Sequence, residues 1–399
     1  MPHNNLNYGI FLKKKVMQNK IIQTLFILML LLGSLSCIEE YKLAIDTADT
    51  AKYVVYGNIN NQKENQTIQI SYSSGIDAPT FIPLNDCEVI VSDNKGNVFE
   101  SFQNNKGYYK IYIPEEYLEP GSAFKIDIVT PNGDQITSDY DTLYQCADLD
   151  SVYYSREDIP SDEFGQHLEK IQFQIDMEGT QEESAYYIYT MEETWEYHSK
   201  YLKEWYYNGR ELNHIVPPDS STHICWKTQS VPNIYILSTE YLSGNNYTKF
   251  PLHDVTNLSE KLAYGYSLKV IQHATSKTTF NHFRKLRNNI SSEGGLYMKQ
   301  PEQVRGNLYN LTAPEDEVLG YFFVSSTQSK RIFVDKFEDM EMYYSTMCFQ
   351  QWLRFGLRSL PPHGPPTYLL NGASFKLSEE CVDCTERGGT TIKPEFWPK

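Results

Sequence analysis

The sequence predicts a mainly β protein: an N-terminal Ig-like or transthyretin-like β-sandwich, then a larger β-rich domain with one or a few helices. Two observations carry this. Apolar and polar residues alternate over short segments, the period of a half-buried strand, and clusters of Gly, Asn, Asp and Pro separate those segments. The 31 Tyr, 19 Phe and 5 Trp among 399 residues are types that favour strands and sandwich cores. The same rings serve to stack on sugars and to anchor interfaces.

The first element is not part of the fold. Lys20 gives a positive entry, residues 21–32 form an apolar run too short to span a bilayer comfortably, and Ser34-Leu35-Ser36 precede Cys37. This is the layout of a secretory signal peptide ending at a lipid-modified cysteine, Cys37. Met17 is a second candidate start, because residues 1–16 add only a basic, polar preface. Residues 1–37 are thus read as leader and the polar residues 38–52 as a tether. Two glyceride chains plus an amide-linked one give stable membrane attachment. Four Lys and no acid lie in the first 37 residues, so the remainder holds 31 basic against 51 acidic residues, a balance of −20. Such a surface argues against nucleic acid as a partner. No later stretch reaches ~18 consecutive apolar residues, the length of a membrane-spanning helix.

Strands begin at Tyr53. Ile68, Ile70 and Tyr72 share one face, with Thr67, Gln69 and Ser71 on the other. Cys87, Val89 and Val91 form the next apolar face, then Tyr109, Ile111 and Ile113, then Phe124, Ile126 and Ile128. Turn signals at 93–97, 104–107, 120–121 and 131–134 divide them. Short strands at this spacing predict a sandwich, assigned to residues 53–146. Cys87 at a strand start and Cys146 past the last strand are candidates for a pair.

Residues 147–399 form the second expected domain. The acid-rich stretch 147–170, with Pro160, is expected to be a connector. Strands follow at 171–177 and 185–191. Segment 195–224 is expected to be a long irregular loop, and its Trp195, Tyr201, Trp205, Tyr206 and Tyr207 are candidate ligand contacts. Strands recur at 232–238, 264–273, 318–326 and 331–335. One helix is expected at 278–290, with Phe280, Phe283, Leu286 and Ile290 as its buried stripe and Gly294-Gly295 as its stop.

No sequence motif names an enzyme. His-Glu-x-x-His, the Walker A loop, Gly-x-Ser-x-Gly and Gly-x-Gly-x-x-Gly do not occur. The nine histidines are scattered. Glu192-Glu193 and the acids of 335–341 read as solvated faces. Cys381-Val-Asp-Cys384 lacks the second cysteine pair that a structural zinc site requires, and oxidised bridges suit an exported chain better. No metal and no cofactor are expected. A glycan hydrolase stays open because two carboxylates need only meet in space.

The chain resembles a Bacteroidota cell-envelope lipoprotein family, the domain of unknown function 4249. The resemblance rests on Val55-Tyr-Gly-Asn-Ile59, Cys87-Glu-Val-Ile-Val-Ser-Asp93 and Gly107-Tyr108-Tyr109. It continues through Cys225-Trp226, Gly295-Leu-Tyr297, Val304-Arg-Gly-Asn-Leu-Tyr-Asn310 and 318–326, to Cys381-Val-Asp-Cys384-Thr385 and Phe396-Trp397. Glu39 and Glu40, just past Cys37, are similar to the surface-export signal of such lipoproteins. The resemblance implies a cell-envelope lipoprotein in partnership with a TonB-dependent β-barrel receptor. The lipid anchor, acidic β-rich body, aromatic loops and absent catalytic motifs add the expectation of a non-enzymatic outer-membrane protein, facing the cell exterior, that serves as accessory or in capture of a glycan or peptide ligand. A stand-alone adhesin or glycan-binding module is the second reading. The six cysteines after Cys37 are expected to be oxidised in pairs, with Cys381 and Cys384 near Cys225 and Cys348. A local Cys381–Cys384 ring stays open at this point.

Overall fold

The computed structural model describes residues 51–62, 65–75, 79–160, 165–290, 303–364 and 366–398. Met17, Cys37, Glu39, Glu40 and the pair Gly294-Gly295 lie outside the described residues. The chain is mainly β. In order come β1 (Tyr53–Asn60), β2 (Asn65–Tyr72), β3 (Ile82–Pro83), β4 (Glu88–Asp93), β5 (Val98–Asn105), β6 (Tyr108–Tyr112), β7 (Ala123–Val129), β8 (Gln135–Ser138), β9 (Asp141–Thr142), β10 (Asp148–Ile159), β11 (Leu168–Glu178) and β12 (Tyr186–His198). Next are β13 (Lys203–Tyr207), β14 (Leu212–Asp219), β15 (Ile224–Ser230), β16 (Tyr235–Ser238), β17 (Tyr247–Thr256), β18 (Gly265–Ala274), α1 (Lys277–Ile290), β19 (Leu308–Asn310), β20 (Leu319–Asp335), β21 (Gln350–Trp352), β22 (Thr367–Leu370) and β23 (Phe375–Leu377).

β20 organises the molecule. Alternation suggested two strands, 318–326 and 331–335; they are one strand of 17 residues. Its first half runs parallel to β1, from Val54↔Leu319 to Asn60↔Ser325. Its second half runs antiparallel to β18, from Ala274↔Ser326 to Gly265↔Asp335. One hydrogen-bonded path therefore runs β15-β12-β18-β20-β1-β2-β6-β5-β4-β7-β8-β19. Gly320 makes the parallel approach feasible. Its φ is +96°, and a Cβ there would lie 2.0 Å from the Val55 carbonyl oxygen, so any other residue both strains and collides.

The N-terminal core holds the alternating faces read from the sequence: Ile68, Ile70, Val89, Val91, Tyr109, Ile111, Phe124 and Ile126 are buried together. Closing it also takes Leu308, Val318, Phe322 and Val324, from far beyond the expected boundary at 146. Residues 51–399 accordingly make one compact unit. A second core lies between the three-stranded sheet β10-β11-β17 and the larger sheet, and holds Phe173, Ile175, Tyr187, Tyr189, Leu268 and Val270.

Three expectations are corrected here. The stretch 147–170 contains β10, which pairs with β11 along its length. Leu149, Val152, Tyr153 and Tyr154 supply its strand character, while its charges find partners across the ladder, as in Lys170–Glu157 and Arg156–Glu169. Segment 195–224 is the end of β12 and a β13–β14 hairpin rather than irregular chain; Pro217 and Pro218 fit because they fall in the register shift between His214 and Asp219, where β14 is not paired with β13. Cys87 and Cys146 do not pair. Cys87 lies in the N-terminal core and Cys146 against the second one, so the two thiols face different interiors. Burial pushes both thiols up, Cys146 to about 11.

Helix α1 packs Phe280 and Phe283 against Tyr186, Ile188 and Ile236, while Ile290 of the expected stripe is exposed. The Asp141 carboxylate anchors the helix start. It accepts from Thr279 Oγ1 at 3.0 Å and from the Val324 amide at 2.9 Å, joining β9, α1 and β20. Among the described residues no helix is long and apolar enough to cross a membrane.

Candidate interaction surface

A separate five-stranded sheet, β14-β13-β22-β23-β21, carries a cluster of exposed apolar side chains along its β21 edge. Its ladder pairs Trp205 with His214 and Leu369, Tyr206 with Tyr368, and Trp352 with Phe375. Trp205, Tyr207, Leu212 and Leu369 pack with Leu353, Leu357 and Leu360. Tyr201, Tyr368, Leu370 and Leu377 gather around Cys348 and Cys381. Lys203 sits 5.5 Å over the Tyr368 ring and donates to Asp383 at 2.7 Å. Burial works against the Lys203 charge, but the Asp383 carboxylate outweighs it and holds the lysine above its ordinary range.

Two disulfides fasten this sheet. Cys348–Cys381 spans 33 residues and Cys225–Cys384 spans 159. The expected neighbourhood of these four cysteines is therefore present, with each member of the Cys-x-x-Cys pair bridged to a distant partner. The second bridge ties the chain end to β15, and Tyr197 Oη donates to the Cys384 carbonyl at 2.8 Å.

At the sheet's open edge, Met347 is 73% exposed, Phe349 78%, Trp352 64% and Phe355 69%. Four large apolar side chains within nine residues thus face solvent from β21 and its flanks. β21 pairs only with β23 in its sheet. Ser378 N donates to Phe349 O, and Leu353 N to Ser374 O. Antiparallel alternation then turns the backbone groups of Gln350 and Trp352 toward the open edge.

The aromatics singled out from sequence divide. Trp195 is not a surface residue: it lies in the second core beneath Lys261, whose Nζ is 5.1 Å from its ring. Period two on β12 puts it inward with Met191 and Tyr197. Trp205 is covered by a parallel stack on His214 at 3.8 Å. Tyr201 accepts from Gln350 Nε2 at 2.8 Å and lies beneath the edge. Tyr206 and Tyr207 are half-buried in the same sheet. Sequence reasoning missed Met347, Phe349, Trp352 and Phe355, although aromatic residues at three-residue spacing were there to be seen.

Glu193 was read as solvated and is 1% exposed. Its neighbours on the same β12 face are core residues, so it enters the interior with partners. Lys261 donates at 2.5 Å, Gln229 Nε2 at 2.7 Å and Tyr266 Oη at 3.0 Å, and His253 Nε2 lies 3.5 Å away. Burial pushes this carboxyl up, but the nearby His253 ring and the bonds from Lys261 and Gln229 prevail and bring it down to about 2. The network joins β12, β15, β17 and β18 as a clasp. Asp158, His167 and Glu169 form a second cluster whose ligand atoms lie within 4.8 Å of one another. Arg156 already holds both Glu169 oxygens, at 2.5 and 2.9 Å, so a metal ion would have to displace a guanidinium.

Comparison with known proteins adds a family. A family model described as domain of unknown function (DUF4249) matches residues 38–331. The chain belongs to the DUF4249 family. The match ends before β21, so most of the exposed sheet and the terminal cysteines lie beyond the matched residues. No curated protein matches the chain. Similar solved structures include a trypsin-activated alpha-2-macroglobulin from Escherichia coli, with 9% identity and TM-score 0.19, covering 57% of this chain and 15% of that one. Another is a DUF4785 family protein from Legionella pneumophila, with 13% identity and TM-score 0.16, covering 50% and 56% respectively. The chain thus spans less than two thirds of either protein, and likeness at these scores carries no argument about fold or function.

Proposed function

We propose that this DUF4249 protein is a lipid-anchored, surface-exposed outer-membrane protein that acts without catalysis, as accessory or ligand-capture partner of a TonB-dependent β-barrel receptor. The observation that carries the reading is the rigid aromatic edge at Phe349, Trp352 and Phe355. Large apolar side chains held in solvent mark contact surfaces, and aromatic anchors on a rigid scaffold dominate binding energy. The Cys225–Cys384 and Cys348–Cys381 bridges support an oxidising compartment. This fits a leader ending at Cys37, with Glu39 and Glu40 as the export signal. Engagement of Glu193 and Glu169 by cations supports binding rather than chemistry.

Affinity isolation of the tagged chain from solubilised native membranes tests the partnership; a co-purifying β-barrel is expected, and recovery of the chain without one overturns it. Cys37→Ser is expected to release the chain from the outer-membrane fraction, and retention at high salt refutes lipid anchoring. Glu39→Ala with Glu40→Ala is expected to keep the lipid and lower protease accessibility on whole cells. The second reading, a glycan-binding module, draws its support from Trp352 and Phe355 rather than from segment 195–224. Glycan-array binding by the chain, lost in Trp352→Ala, decides for it.

A further inference from the structure

The exposed edge differs from the rest of the protein in charge as well as polarity. From residue 342 to residue 378 there is no Asp or Glu, although the chain carries 51 acidic residues. The same stretch holds Arg354, Arg358 and Lys376. Arg354 and Arg358 are exposed. Arg354 lies 5.4 Å over the Phe355 ring, and neither arginine has a carboxylate partner among the described residues. Asp383 is bonded to Lys203 at 2.7 Å and Glu204 lies 3.4 Å from His214; Glu379 and Glu380 follow Ser378, the residue paired with Phe349, and bound the acid-free stretch on that side. An acidic body thus presents one strand edge at which Phe349 and Trp352 project from opposite sides of β21, beside two guanidinium groups without a carboxylate partner among the described residues.

We propose that this face seats on an anionic lipid surface, with Phe349, Trp352 and Phe355 entering the interface and Arg354 and Arg358 meeting the headgroup charges. The inference rests on the membrane-attached part of the reading above and assigns this edge to lipid, leaving receptor contact to other surfaces. Trp and Phe bury an apolar body at the headgroup level, and Arg supplies the attraction to anionic lipid. Complementary charge decides the orientation, because the acidic remainder is repelled from such a surface. The Cys348–Cys381 bridge, one residue before Phe349, ties the ring-bearing edge to the body.

The test uses the full chain isolated from its native membranes and reconstituted into vesicles of phosphatidylcholine, with or without 30% phosphatidylglycerol (roughly the anionic content that makes such attraction measurable). Brominated acyl chains quench Trp fluorescence on contact. Subtracting Trp352→Phe isolates Trp352 from the four other Trp. Quenching of the Trp352 signal is expected in anionic vesicles, weaker quenching in neutral ones, and loss of the difference at 1 M salt or in Arg354→Gln with Arg358→Gln. Flotation measures anchoring separately. A chain that floats while Trp352 stays unquenched overturns the proposal and leaves the anchor intact. Equal quenching in both vesicle types overturns the charge argument. Trp352 shielded from acrylamide yet untouched by brominated lipid assigns the face to a protein partner and also overturns it. Far-UV circular dichroism shows that each variant is folded, and two free thiols counted in urea, Cys87 and Cys146, show that both disulfides are intact.

Discussion

Glu193→Gln tests the reasoning about the buried clasp. The wild-type carboxyl falls from an ordinary 4.5 to about 2 in the folded protein, because Lys261, His253 and Gln229 outweigh its burial. A carboxylate depressed on folding stabilises the native state. That contribution is complete above the unfolded value near 4.5 and is lost as pH falls through 2. The displacement corresponds to about 3 kcal/mol at neutral pH. Glutamine keeps the volume and part of the hydrogen bonding but not the charge. Lys261 is 22% exposed and can turn toward water, so the unpaired ammonium adds little further penalty. The variant is therefore expected to lose about 3 kcal/mol relative to wild type at pH 7 and little near pH 2. Urea unfolding of both proteins at pH 7, 5, 4 and 3 measures the difference. Comparing the two chains cancels the other depressed carboxylates, such as Asp93, Asp176 and Asp383. A loss of equal size at pH 7 and pH 3 refutes the argument, since it would report lost packing rather than lost charge.

Other outcomes follow from the same geometry. Gly320→Ala, which adds a Cβ against the Val55 carbonyl at positive φ, is expected to cost at least about 3 kcal/mol and to lower Tm sharply. Removing Cys225–Cys384 by paired Ala substitution frees a loop of 159 residues, worth about 5 kcal/mol by chain entropy; removing Cys348–Cys381, with 33, is worth about 4 kcal/mol. Urea midpoints in that order support the account, and equal midpoints to wild type contradict it. Cys87 and Cys146 are expected to resist thiol reagents in the native protein and to react in urea, read by mass shift, because burial raises both. Trp352→Ala is expected to leave Tm unchanged, since its side chain is mostly in solvent already.

Local pattern determined the strands and the helix. Alternation at Ile68, Ile70, Val89, Val91, Ile126 and Ile128 marks the buried face of each strand whatever its neighbour, so these residues were legible before any fold. The helix at 277–290 was equally visible, because its period belongs to the segment itself. The expected neighbourhood of Cys225, Cys348, Cys381 and Cys384 rested on the family resemblance, while the even cysteine number misled, since Cys87 and Cys146 stay free. Tertiary structure alone decided which strands meet. No local signal says that Leu319 lies beside Val54, some 265 residues earlier, or that this strand then turns its second half to β18. Periodicity reports the side of a strand that avoids water; it carries no information about the strand across the hydrogen bonds. For that reason the boundary at 146 did not divide the cores, and Cys87 and Cys146 stayed apart. The candidate surface was hidden for a related reason. An aromatic residue is equally at home inside or outside a sheet, so only packing could send Trp195 into the core and Trp352 into solvent.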